Sequence, residues 1–161
     1  NAGVGILLTV YNAVEVWEVV ELGCNRVKVG SGEAGEWGLA QEIAKTGLRP
    51  LISCGLTGRW QTRYPLDSAF LGCVTRYPAP DGLAALALHT DPALCGWSDH
   101  AIGLGELEAA ICVGAQILET HVQLPNQARP ARSFEKTVAE MAELRQFLDE
   151  NPERFIGRWQ A

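Results

Sequence analysis

Two histidines, His100 and His121, each stand just past a short apolar run, and each has an acid close by, Asp99 and Glu119. Imidazoles with neighbouring carboxylates suit a divalent metal that keeps positions open for water or substrate. If the two runs are adjacent parallel strands, ~4.8 Å apart, both rings reach one ion. The other reading makes them two histidines that only cap their strands, and the residues alone leave both open. A second constellation centres on Lys28, which interrupts Val27-Lys28-Val29. A buried ammonium is costly without an anion, so Lys28 either binds one or faces water from an edge strand. Thr9, Ser31, Ser53 and Ser98 fall at or just beyond the ends of apolar runs. Each alone is as well explained by a hydroxyl satisfying its own loop. Together with Lys28 they offer one charge and several neutral donors, the make-up of a phosphate cradle. Thr75, Arg76 and Tyr77 follow another run, and His89 falls on a helical pattern with no partner in the sequence.

Elements of two kinds alternate to carry these residues. Strands are expected over residues 5–11, 26–30, 50–54, 69–74, 93–97 and 115–121. Asn12 is expected to cap a helix, with Glu15 as its capping-box partner and Val14, Trp17 and Val20 as its apolar face. Helices are also expected over 37–46, closed by Gly47, over 82–89, over 104–113, closed by Gly114, and over 134–150, where Val138, Met141, Leu144 and Leu148 recur at helical spacing. Strand starts lie roughly 19 to 24 residues apart, the rhythm of repeated βα units with a parallel sheet. Only the stretch between Cys54 and Ala69, rich in Gly, Pro and aromatic residues, lacks a helical pattern. Ligands of such sheets bind at the carboxyl ends of the strands, where the residues above fall. No GxGxxG or GxxxxGK[ST] follows any strand, so a dinucleotide or P-loop site has no support.

Composition narrows the classes. The 161 residues are 47% hydrophobic and 20% charged, as in a globular domain, with a net charge of −6 that argues against nucleic acid as a partner. No apolar run approaches the ~20 residues of a membrane-spanning helix, and no basic–apolar–small leader pattern opens the sequence. The first residue is Asn1, so a fragment or processed chain is expected. Five cysteines, Cys24, Cys54, Cys73, Cys95 and Cys112, show no CxxC pair. They read as small buried thiols of a cytoplasmic protein, with a catalytic thiol as the lesser reading.

VKVGSGE (27–33), IAKTG (43–47), LISCG (51–55), RYPAP (76–80), GWSDH (96–100) and GAQILETH (114–121) resemble, in this order, motifs of the sialic acid synthase family. The resemblance runs from about Gly5 to Glu150 and is most specific at SDH followed by E-x-H. It implies a (β/α)8 TIM barrel, of which residues 1–161 would supply the third to eighth βα units. The activity implied is condensation of phosphoenolpyruvate with an N-acyl mannosamine-type amino sugar, giving a nine-carbon 2-keto sugar acid and phosphate. By resemblance, His100 and His121 hold a divalent metal, usually manganese. Glu119 matches a glutamate placed for proton transfer. Thr9, Lys28, Ser31, Ser53 and Ser98 match phosphoenolpyruvate contacts, and Tyr77 matches a sugar-site tyrosine. A homodimer is among the implied partners.

The departures fall on the sugar side. Thr75 stands where the family has asparagine, and Arg132 or Ser133 where it has a sugar-gripping aspartate. By resemblance, residues 1–161 are expected to lack the family's first two βα units and its small C-terminal antifreeze-like domain. The alternative expectation is therefore a non-catalytic degenerate homologue, acting as a ligand-binding or assembly subunit.

Overall fold

The computed structural model describes residues 4–55, 64, 65 and 67–154. In chain order the elements are β1 (Thr9–Val10), α1 (Ala13–Glu21), β2 (Arg26–Val29), α2 (Trp37–Thr46), β3 (Arg49–Cys54), β4 (Ala69–Cys73), α3 (Ala84–Thr90), β5 (Leu94–Asp99), α4 (Gly105–Cys112), β6 (Ile117–Thr120) and α5 (Val138–Glu150). The strands follow one another in the order β1-β2-β3-β4-β5-β6. A doubly wound sheet reverses direction at a switch point, whereas a barrel adds each strand beside the last. The sequential order is that of the barrel. The chain divides into two compact units, with the division inside β4 between Leu71 and Gly72.

In the first unit β1, β2 and β3 pair in parallel. Asn12 caps α1 as expected: its side chain accepts from the Val14 and Glu15 amides, and the Glu15 carboxylate accepts from the Tyr11 amide. The face differs from expectation. Val16 and Val19 are the buried residues, while Val14 and Trp17 are exposed. The helix carries more valines than one stripe needs, and the stripe that packs is the one turned toward the strands. Trp17 instead donates through Nε1 to Glu42 of α2 at 3.3 Å. Gly47 closes α2 at φ +74°, where an L side chain would be strained. The first strand is shorter than expected, two residues against seven. Val4 and Ile6 are exposed, and the unmatched stretch 56–63, with residue 66, lies outside the described residues.

The second unit pairs β5 with β6 in parallel. Val74, Ala84, Trp97, Ala110 and Ala115 form one core cluster, and Leu107, Ile111 and Leu144 another that joins α4 to α5. Gly72 lies under Trp97: a Cβ there would stand 2.7 Å from the indole Cζ3. α3 has no cap from its own sequence. The buried Glu106 of α4 supplies one, its carboxylate accepting from the amides of Gly82, Leu83 (3.1 Å) and Ala84 (2.7 Å). α5 starts at 138, not 134, because Thr137 and Glu140 form a capping box and residues 134–136 are committed elsewhere. Lys136 forms a parallel bridge with Val122. Glu135 holds Arg129 and accepts from the Arg132 amide at 3.0 Å, so the loop between β6 and α5 is braced. Among the cysteines, Cys54 and Cys73 are buried as expected, but Cys112 is exposed.

Candidate active site

Strand register decides which side chains share a face. Thr9 is the partner of Lys28, and Lys28 of Leu51, so all three point the same way, as does Ser53 two residues on. Lys28 and Ser53 are both buried, 4% and 3% exposed, and meet: Lys28 Nζ donates to Ser53 Oγ at 2.8 Å and to the Val29 carbonyl at 2.7 Å. The edge-strand reading of Lys28 is thereby excluded. Thr9 is exposed at the register position beside Lys28, and Ser31 is half-buried in the turn after β2. The first unit thus presents one ammonium and a hydroxyl from facing strands, with further hydroxyls at strand ends.

In the second unit Ser98 pairs with Glu119 and Asp99 with Thr120. Ser98 and Glu119 therefore share one face, and His100 and His121, two residues further along each strand line, continue it. The ring centroids lie 5.3 Å apart. The Tyr77 ring lies 4.1 Å from His100, tilted by 42°, and 6.0 Å from His121. Phe134 meets Tyr77 at 5.1 Å and His121 at 5.2 Å, both edge-on. His100 is buried and its Nδ1 lies 2.8 Å from the Val74 carbonyl. A carbonyl only accepts, so Nδ1 carries the proton, and in the neutral ring Nε2 carries the lone pair. Burial first, and then the adjacent His100, hold the His121 imidazole below its ordinary value, against the opposing pull of Glu119 and Glu135. It is therefore neutral at pH 7, the form that ligates metal.

Asp99 does not join the histidines. It points to the opposite face, where Oδ1 accepts from the Ala101 amide and Oδ2 lies 2.7 Å from Lys136 Nζ, with both side chains buried. Among the described residues no group of three or more His, Cys, Asp or Glu converges on one point. The histidine pair fits a divalent ion bound by few protein ligands and otherwise by water or substrate oxygens. Sequence reasoning missed Lys136, Phe134 and Glu106. Lys136 and Phe134 sit in a loop without periodicity, and Glu106 acts on a helix more than twenty residues away in sequence.

The sequence model of a family described as the NeuB family matches residues 1–155. N-acetylneuraminate-9-phosphate synthase of Mus musculus is 30% identical over 118 residues, covering 65% of this chain and 33% of its own length. N,N'-diacetyllegionaminic acid synthase of Campylobacter jejuni is 28% identical over 140 residues, covering 77% of this chain and 42% of its own. The chain thus spans about a third to two-fifths of the length of these relatives. Among solved structures, the N-acetylneuraminic acid (sialic acid) synthetase of Leptospira borgpetersenii superposes with a TM-score of 0.76 at 20% identity, covering 90% of this chain and 56% of that one. A truncated 3-deoxy-D-arabino-heptulosonate 7-phosphate synthase of Thermotoga maritima superposes at 0.69 with 15% identity, over 91% of this chain and 65% of that one. At such identities these two likenesses speak for the fold. No helix among the described residues is long and apolar enough to cross a membrane.

Proposed function

We propose, from the premise that this chain belongs to the NeuB family of sialic acid synthases, that it carries the phosphoenolpyruvate and metal residues of a condensing enzyme. The acceptor would be an N-acyl mannosamine-type sugar and the product a nine-carbon 2-keto acid. Relatives named for N-acetylneuraminate 9-phosphate and diacetyllegionaminic acid support that class of acceptor. The observation that carries the reading is the shared face of Ser98, His100, Glu119 and His121 on two paired strands.

In this reading Lys28 and Ser53 of the first unit bind the anionic end of phosphoenolpyruvate, with Thr9 and Ser31 as further hydroxyl donors, and Ser98 of the second unit is a phosphoenolpyruvate contact by family resemblance alone. A preset ammonium is worth most where water is excluded, and Lys28 is buried. His100 and His121 would hold a divalent cation, manganese by family resemblance, which when bound supplies Lewis-acid polarisation of the sugar aldehyde. The bond that forms joins C3 of phosphoenolpyruvate to the aldehyde carbon. Water adds at C2, and the C2–O bond to phosphate breaks. Glu119, half-buried beside Ser98, holds or releases a proton near these carbons. Tyr77, exposed and tilted against His100, forms a wall against which the sugar packs.

Two measurements test this. His100→Ala and His121→Ala should each abolish manganese binding in calorimetry, and undiminished binding in both would remove the metal assignment. The chain should release phosphate from phosphoenolpyruvate only with an acceptor sugar present. Intact phosphoenolpyruvate and manganese binding without turnover, for every N-acyl mannosamine tried, would instead favour the non-catalytic ligand-binding reading, with which Thr75 and Arg132 agree.

A further inference from the structure

Lys136 bonds to both neighbours of His100 and to the backbone of His121 and Gln123. Its side chain is fully buried, with Nζ 2.7 Å from Asp99 Oδ2 and 2.6 Å from the Ala101 carbonyl, the residues immediately before and after His100. Its main chain holds the other strand's end at His121 and just beyond it. The Lys136 amide donates to the His121 carbonyl at 2.8 Å, and the Lys136 carbonyl accepts from the Gln123 amide at 2.9 Å. One residue of the β6–α5 loop therefore grips β5 through its ammonium and β6 through its peptide groups. Two residues earlier, Phe134 packs edge-on against His121 and Tyr77.

We propose that Lys136 is a positioning residue that fixes the separation and orientation of His100 and His121. The inference deepens the metal assignment made above and rests on it. A bare ion pair with Asp99 would be satisfied anywhere in the core. The additional bond to Ala101, together with the peptide bonds at His121, makes the same lysine a strut between two ligand-bearing strand ends. Metal ligands held by outer partners of this kind characteristically lose about 10–100-fold in affinity when the partner is removed.

The test separates positioning from simple stability. Lys136→Met leaves the Asp99 carboxylate buried without its cation, so this variant should be strongly destabilised. The double variant Asp99→Asn, Lys136→Met removes that charge, keeps an oxygen for the Ala101 amide, and should recover much of the lost melting temperature. If Lys136 positions the histidines, the recovered double variant still binds manganese about 10–100-fold more weakly than the parent. In nitrogen-15 NMR without metal, its His100 Nδ1–H should also exchange with water faster than in the parent. Manganese affinity and His100 exchange that return to parental values together with the melting temperature would overturn the proposal. A parent chain that binds no manganese refutes the metal assignment itself. The metal-free exchange at His100 then still decides whether Lys136 orders the ring.

Discussion

Glu106→Gln changes one atom of a buried side chain and should cost more than most core substitutions of that size. The carboxylate is the cap of α3, accepting three successive amides through two oxygens. Oε2 takes the Leu83 and Ala84 amides, and Oε1 takes that of Gly82. In the better orientation of the glutamine, its oxygen keeps Leu83 and Ala84, but each bond loses its charge assistance, about 1 kcal/mol apiece. The new NH2 group then faces the Gly82 N–H, donor against donor. Since that amide is only partly buried, its loss is worth about 1 kcal/mol, the low end for an unsatisfied group. The flipped orientation leaves two amides facing the NH2 and is worse. The sum is roughly 3 kcal/mol, equivalent to a drop in melting temperature of roughly 6–12 °C for a chain of this size. Scanning calorimetry of parent and variant measures the drop, and hydrogen exchange at residues 82–84 localises it. A variant that melts within about 1 °C of the parent, with α3 amides exchanging at the parental rate, would refute the view that Glu106 holds this helix.

Three further outcomes are expected. Lys28→Met should weaken phosphoenolpyruvate binding by about 1.5–3 kcal/mol, the worth of a charge-assisted bond, and Lys28→Arg should not restore it fully because a planar fork does not replace a compact ammonium. Equal affinities in a titration calorimeter would take Lys28 out of the site. Gly72→Ala should destabilise by about 1–3 kcal/mol through overpacking against Trp97 Cζ3 and Leu94 Cδ1, and Trp97→Phe should relieve part of it in a urea-unfolding comparison. Arg129 holds the Glu135 carboxyl at about 2, below its ordinary 4.5. The unfolded chain therefore takes up this proton first, so the stabilisation is complete above pH 4.5 and is lost as the pH falls through 2. Glu135→Gln should flatten that part of the melting temperature profile, and an unchanged profile would show that the brace contributes nothing.

The sequence carried the elements better than their faces. Trp37–Thr46 and its closing Gly47 were legible to the residue because the helix has one apolar stripe and one glycine stop. α1 was legible as a capped helix, but Val14, Val16, Trp17, Val19 and Val20 suit more than one stripe, and only packing against strands selects Val16 and Val19. β1 shrank to Thr9–Val10, the length over which β2 offers it partners. The start of α5 was written in the sequence as Thr137-x-x-Glu140, a capping-box signature, but the apolar Phe134 suggested an earlier start. Of the site, the strand-end residues were legible because period-two register follows from spacing. That Asp99 turns away from the histidines follows from the same register, once β5 is known to run on to Asp99. Its partner Lys136 lies 37 positions later and in a loop, beyond the reach of any periodicity.

The packing of Trp97 over Gly72 also gives this indole a light signal distinct from those of Trp17 and Trp37. Trp97 is 3% exposed in an apolar cluster, while Trp17 and Trp37 of the first unit are 45% and 53% exposed. An indole shielded from water emits further to the blue than one in contact with it. Among the tryptophans of the described residues Trp97 is therefore the short-wavelength emitter, its emission follows the packing of β5 against α3 and α4, and quenching by iodide should spare it while dimming Trp17 and Trp37. Loosening around the histidine-bearing strand could then be watched optically, without a label, in any of the variants above.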